Sequence, residues 1–294
     1  MYRHSEEIAQ GPARVRVDVV SAEPMDRVLE DTTFLDYRLG GVTRTLDTTK
    51  ERVDLFWDRT APEKKIAFRD DQLRLEGPWF EGELQRILVS LMARRMEEAG
   101  LYLFHSSAVH YRGRSIQFMS GEGNNGKTMS QIEARRRGAA FIATETTVID
   151  REGQVVAGSR DVFLRKRAKG TERADKPPQD EGVRKFFDAL PDLTVFHDQP
   201  TTIDLVILPD IDGNFATAVA PLSDFEKAYQ TFHCLMDYFA LNVLLAPGLP
   251  MPILDTAELR ARRAAFIQDF IRRPYYIIRA AGPQSVLDEV EKLL

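Results

Sequence analysis

The stretch Gly121-Glu122-Gly123-Asn124-Asn125-Gly126-Lys127-Thr128 fits G-x-x-x-x-G-K-[ST], the phosphate-binding P-loop pattern. Glycines at Gly121, Gly123 and Gly126 let the backbone curl, so that N–H groups along Asn124 and Asn125 turn toward one anion. Lys127 is then expected to reach the β- and γ-phosphates of a nucleotide, and the Thr128 hydroxyl to face Mg²⁺. The flanks agree with that reading. Arg114 to Ser120 largely alternates polar and apolar residues, as a strand does. Thr128 to Arg137 holds no Gly or Pro and reads as a helix, which Gly138 closes. Strand, glycine loop and helix predict an α/β fold with a nucleotide at the turn.

Working outward, the chain has 294 residues, 43% apolar and 29% charged, the composition of an ordinary globular protein. No apolar run reaches the ~18 residues of a membrane helix, and the stretch from Met1 to Glu7 lacks the apolar segment of a secretory signal. The single cysteine, Cys234, lies in an apolar helical pattern and reads as a core thiol. Together these features predict a cytoplasmic protein with no membrane partner. A net charge of −5 argues against general nucleic-acid binding. One basic cluster stands apart: Arg160, Arg165, Lys166, Arg167, Lys169 and Arg173, against Asp161 and Glu172. It suits a phosphate or an acidic partner, and equally a solvated loop. None of the five histidines shows zinc-site spacing.

Residues 1–80 read as a β-rich N-terminal region, a small antiparallel layer. Ala13 to Val20 alternates, Val53 to Trp57 and Lys65 to Phe68 are short apolar runs, and Gln72 to Glu76 alternates before Gly77-Pro78. Glu83 to Ala99 places Leu84, Ile87, Leu88, Leu91 and Met92 on one helical face. The best domain cut falls at 78–82, leaving 81–294 as the nucleotide-binding core. In that core, strands are expected at Leu101–Phe104, Ala108–Tyr111, Ala139–Ala143 with a continuation over Thr147–Asp150, Ile203–Pro209 and Tyr275–Arg279. Helices are expected over 183–190, 223–245, 256–272 and 286–294. Ser223 and Glu226 form a capping-box pattern. Residues 167–182, polar and rich in Lys, Asp and Pro, read as a mobile loop suited to a lid. The β-rich front leaves a homo-oligomer open.

A P-loop alone holds nucleotide, whereas phosphoryl transfer also needs a metal ligand and a positioning group or base. In P-loop folds the strand beside the loop strand ends in an acidic residue. The next buried strand here runs into Ala143-Thr144-Glu145-Thr146, so Glu145 is the first candidate for Mg²⁺, directly or through water. His105, at a strand end before Ser106 and Ser107, is the second candidate, able to donate hydrogen bonds to a triphosphate or move a proton. Taken alone it reads as a structural histidine.

The order Leu103-Phe104-His105-Ser106-Ser107-Ala108-Val109, Arg112-Gly113-Arg114, the P-loop, Arg137-Gly138-Ala139 and Thr144-Glu145 resembles the catalytic domain of HPr kinase/phosphorylase and its serine-kinase relatives. That family shows H-A-S-A-V, then G-x-S-G-x-G-K-S, R-G and D-D. Pro274 to Arg279 with its short following helix also looks like the family's C-terminus. The likeness covers about residues 82–294 and is concentrated in 103–150. It implies a phosphoenolpyruvate-carboxykinase-like mixed-sheet core using ATP and Mg²⁺ to phosphorylate a hydroxyl, typically serine. Carried over, Lys127 binds phosphates, Thr128 and Glu145 the metal, and His105 lies near the γ-phosphate.

Thr144 stands where the family has its base aspartate, and a threonine cannot accept the hydroxyl proton in that way. No copy of the family's second signature segment follows, so phosphorylase activity is not expected. Two readings remain. One is a kinase acting on a hydroxyl in a peptide, protein or small metabolite. The other is a nucleotide-binding regulator whose kinase chemistry is impaired.

Overall fold

The computed structural model describes residues 1–46, 52–120, 125–165, 183–185, 194–241, 245 and 248–294. The chain is mixed α/β, and both of its larger sheets mix parallel with antiparallel pairs. Its contacts divide it into two compact units, Met1–Leu103 with Met236–Arg263, and Phe104–Leu235 with Ala264–Leu294. The cut read from sequence lies earlier, at 80/81.

The first unit holds β1 (Tyr2–Gln10), β2 (Ala13–Ser21), α1 (Thr33–Leu39), β3 (Thr43–Leu46), β4 (Leu55–Asp58), β5 (Lys65–Arg69), β6 (Gln72–Glu76) and α2 (Glu81–Glu98). The strands form one sheet in the order β3-β1-β2-β4-β6-β5. The alternation in β2 has its expected consequence, with Val15, Val17 and Val19 all fully buried. The expected antiparallel layer is corrected: β2 pairs β4, and β4 pairs β6, in parallel. Parallel pairing needs a crossover longer than a hairpin turn. Here α1 and β3 intervene in the first case, and β5, itself hairpinned to β6, in the second. The predicted stripe Leu84, Ile87, Leu88, Leu91 and Met92 on α2 is buried. At the start of α2, the Phe80 N–H donates to Glu83 Oε2 at 3.1 Å, satisfying one terminal donor.

The chain continues through β7 (Leu101–Tyr111), β8 (Arg114–Met119), α3 (Lys127–Arg136), β9 (Ala140–Ala143), β10 (Thr146–Asp150), β11 (Gln154–Gly158), β12 (Phe163–Arg165), β13 (Val183–Lys185), β14 (Thr201–Thr202), β15 (Leu205–Ile211), β16 (Ala218–Pro221), α4 (Asp224–Phe239), α5 (Ala257–Phe270), β17 (Tyr275–Ala280) and α6 (Pro283–Leu293). The large sheet runs β14-β11-β10-β7-β8-β15-β17-β16, and β9 also pairs β7.

Three expectations change. The two short strands read at 101–104 and 108–111 are one strand, β7. Its central Ser106 is accommodated because Gln117 Nε2 donates to Ser106 Oγ at 2.7 Å and Ser106 Oγ donates to Thr147 Oγ1 at 3.0 Å. Residues 147–150 do not continue β9, since a turn at Thr144-Glu145 separates it from β10. Val183–Lys185 is a strand paired with Phe163–Arg165, not the start of a helix. There the short antiparallel partner supplies the backbone bonds that a helix would have made internally. Residues 186–190 of that expected helix, and the expected lid at 167–182, lie outside the described residues. The capping box at Ser223 is formed. Its N–H donates to Glu226 Oε2 at 2.8 Å, and Glu226 N–H returns a 3.4 Å bond to Ser223 Oγ.

On one face of the large sheet, Val109, Ile116, Phe118, Ile207 and Ile278 pack with Ala134 of α3 and Val286, Leu287 and Val290 of α6. Residues of alternate parity point to the other face, where Phe104 meets the rings of Phe266 and Phe270 on α5 at 5.9 and 5.1 Å. β8, β15 and β17 are mutually parallel. Their carboxyl ends therefore gather at one edge, where the glycine loop follows β8 and where α/β sheets commonly bind ligands.

Candidate functional site

Among the loop residues, Gly121, Gly123 and Asn124 lie outside the described residues. Asn125 and Gly126 close the loop. Gly126 has φ 103°, in the region L-residues avoid, and a Cβ there would come within 2.4 Å of Ile211 Cδ1. Ile211 N–H also donates to the Asn125 carbonyl at 3.2 Å. The loop's exit is thus pinned to the end of β15 by a hydrogen bond and by a contact that only glycine permits.

Lys127 opens α3 and is 9% exposed. No carboxylate lies within ion-pair distance of its ammonium among the described residues. A lysine so placed, with no carboxylate of its own, is suited to pair with an anion. The first amides of α3 likewise have no acceptor inside the helix. Thr128 follows, half-buried. One turn after Lys127, on the same helix face, Gln131 Nε2 donates 2.8 Å to the Thr144 carbonyl. The loop helix is thereby tied to the Thr144-Glu145 turn.

That turn is fixed from the far side by Ser159. Its hydroxyl accepts from the N–H groups of Glu145 (2.7 Å) and Thr146 (2.9 Å). Gly158 allows this approach, because a Cβ on it would lie 2.5 Å from Ala143 Cβ. With the turn held, Glu145 projects to His105, and His105 Nε2 lies 3.2 Å from Glu145 Oε1. The two candidates read separately from the sequence form one pair, half-buried at 19% and 13% side-chain exposure. Thr144 is differently placed. It is 1% exposed, and its hydroxyl lies 3.0 Å from the Ser159 carbonyl and 2.6 Å from the Asp161 carbonyl. Its one proton is committed to these acceptors, so it closes the turn rather than facing a ligand.

One premise of the sequence reading is corrected. The strand ending at Glu145 does not lie beside the loop strand, because β9 pairs antiparallel with β7. The parallel neighbour of β8 is β15, in the register Leu205–Ile116, Val206–Gln117 and Ile207–Phe118. Extended past Met119, that register sets Asp210 level with the loop. Asp210 is 8% exposed and accepts from Arg279 Nε at 3.0 Å. The signal available in the sequence was the apolar run Leu205 to Leu208 ending in Pro209-Asp210. What the sequence did not disclose was the adjacency of that run to β8.

The basic cluster is only partly described. Arg160 pairs with Asp198, its guanidinium 4.7 Å from the Phe196 ring centroid. Lys166, Arg167, Lys169 and Arg173 lie outside the described residues. Among the described residues no group of three or more His, Cys, Asp or Glu is disposed to hold a metal ion. A cation held by a carboxylate, a hydroxyl and a nucleotide's phosphates needs no such cage, and Thr128 with Glu145 fits that donor set. No described helix is long and apolar enough to cross a membrane. Compared with known proteins, the chain matches no family model and no curated sequence significantly.

Proposed function

We propose that the chain is an ATP-dependent kinase that transfers the γ-phosphate to a hydroxyl acceptor, on a phosphoenolpyruvate-carboxykinase-like core of the HPr-kinase type. The observation that carries this reading is Lys127: a lysine 9% exposed overall, with no carboxylate in ion-pair range among the described residues, at the first turn of a helix and directly after a left-handed glycine. Phosphate supplies the missing charge and accepts the helix's unpaired amides. Thr128 and Glu145 would hold Mg²⁺, which neutralises charge on the phosphates. His105, whose Nε2 lies 3.2 Å from Glu145 Oε1, would orient that carboxylate and donate toward the γ-phosphate. Phosphoryl transfer asks mainly for positioning and charge neutralisation, so a site lacking an aspartate at 144 still suits it.

A second reading, a nucleotide-binding regulator without turnover, is favoured by Thr144, whose hydroxyl is consumed inside the turn. Labelled ATP with a panel of acceptors separates the two. Transfer that is lost in Lys127→Ala and kept in Thr144→Ala supports the kinase. ATP binding with no transfer, even to water, supports the regulator. Nucleotide affinity unchanged in Lys127→Ala defeats both.

A further inference from the structure

At the carboxyl ends of β15 and β17, on the sheet face opposite α3, lies a cavity of about 310 Å³. Asn125 of the loop, Asp210, Ile277 and Arg279 line it from the sheet side, and Tyr229 and His233 from α4. The Tyr229 and His233 rings lie 5.6 Å apart, giving the cavity an aromatic wall. Two carboxylates stand at strand ends beside the loop region: Glu145, engaged with His105, and Asp210, engaged with Arg279. Of the two, Asp210 is the one lining this cavity.

We propose, resting on the kinase reading above, that this cavity is the acceptor pocket and that Asp210 takes the hydroxyl proton which no carboxylate at position 144 can take. The acceptor oxygen bonds to the γ-phosphorus as the bond from that phosphorus to the β,γ-bridging oxygen breaks. The hydroxyl proton passes to Asp210, and ADP leaves with the bridging oxygen. Arg279 Nε donates to the Asp210 carboxylate at 3.0 Å, and the guanidinium carbon lies 4.5 Å from the Phe215 ring centroid. Its Nη groups make no hydrogen bond to the described residues, and its side chain is 52% exposed. A cation so placed beside the base selects an acceptor that carries an anionic group near its hydroxyl. The volume lies at the lower end of small-molecule sites, ~300–1,000 Å³, so the acceptor is a small hydroxy acid rather than a folded protein.

The test uses the full chain, calorimetry with ATP and Mg²⁺, and radiolabelled transfer to glycerate, lactate and L-serine. Glycerol serves as the neutral comparator and a serine-containing peptide as the competing class. The wild type should phosphorylate at least one of the small anions. Asp210→Asn should lower kcat about 10²–10⁴-fold, remove the acidic limb of the kcat–pH profile and leave ATP affinity intact. Arg279→Lys should raise KM for the anionic acceptors on the order of tenfold, and by more than it raises the glycerol KM. Unchanged kcat in Asp210→Asn overturns the proposal. So does weakened ATP binding in Asp210→Asn or Tyr229→Ala, which would make this the nucleotide's cavity, and so does transfer to the peptide alone. If Asp210→Asn does not fold, Arg279→Lys and Tyr229→Ala carry the test, and an unchanged acceptor KM in both overturns it. Failure of the wild type to bind ATP defeats the kinase reading itself. ATP binding with transfer to none of the small acceptors defeats this pocket's assignment.

Discussion

Each of the two units holds a basic residue that is largely buried, and the two are treated in opposite ways. In the first unit Arg263 is 1% exposed and fully answered. It donates to Glu97 at 2.8 and 2.7 Å and to Asp255 at 2.9 and 3.2 Å, and its guanidinium lies 4.5 Å from the Phe239 ring centroid. In the second unit Lys127 has no carboxylate in reach among the described residues. A cation answered by its own chain is architecture, because every charge it brings is neutralised on folding. A lysine with no carboxylate of its own chain in reach leaves its charge available to a ligand's negative group. The contrast separates a structural ion pair from a candidate binding site without reference to any relative.

The sharpest way to break the comparison is to remove both cations in turn. Arg263→Ala leaves Glu97 and Asp255 buried and unpaired. It is expected to cost about 3–5 kcal/mol of stability, read by urea or thermal unfolding, with ATP affinity in the folded fraction unmoved. Lys127→Ala is expected to do the reverse. It should lower phosphoryl transfer by about 10²–10³-fold while leaving Tm equal or higher, since no ion pair among the described residues is lost. Should Lys127→Ala unfold as readily as Arg263→Ala, Lys127 is structural and the contrast collapses.

A smaller effect probes the loop's closure. Gly126→Ala should cost about 1–2 kcal/mol for the left-handed backbone alone, with a further penalty from the contact at Ile211. Adding Ile211→Ala should recover the contact's share and not the backbone's. Full recovery would show that φ at 126 carries no strain. The smallest effect concerns His110, stacked on His197 at 4.2 Å. Burial, and then the charge of His197, push its pKa below the ordinary value, with Asp204 opposing. The folded state therefore holds this proton more weakly than the unfolded chain. Stability should fall as pH drops through ~6.5, and His110→Gln should flatten that part of the Tm–pH curve.

What the sequence disclosed follows the range of the interactions involved. Local patterns were legible: the alternation of β2, the apolar stripe on α2, the Ser223–Glu226 cap and the strand–loop–helix unit around Lys127. Each is set by neighbours a few residues apart. Strand adjacency was not legible. β15 and β8 are separated by almost ninety residues of chain, and nothing in Leu205 to Asp210 states which strand it will pair. Asp210 was missed for that reason, and Glu145 was credited with a position beside the loop strand that β15 holds. The pairing of His105 with Glu145 was likewise invisible, because it depends on Ser159 reaching back past a glycine to brace the turn.

The β7–β8 hairpin works as a ruler. Its tight turn at Arg112-Gly113 sets the register Tyr111–Arg114 through Ser106–Met119, so His105 comes level with the residue that enters the glycine loop. Strand side chains alternate, and one inserted residue in that turn would present Phe104 or Ser106 where His105 now stands. It would do so without touching the loop motif or the helix behind it. Length variation at this turn would thus move His105 without changing the loop motif.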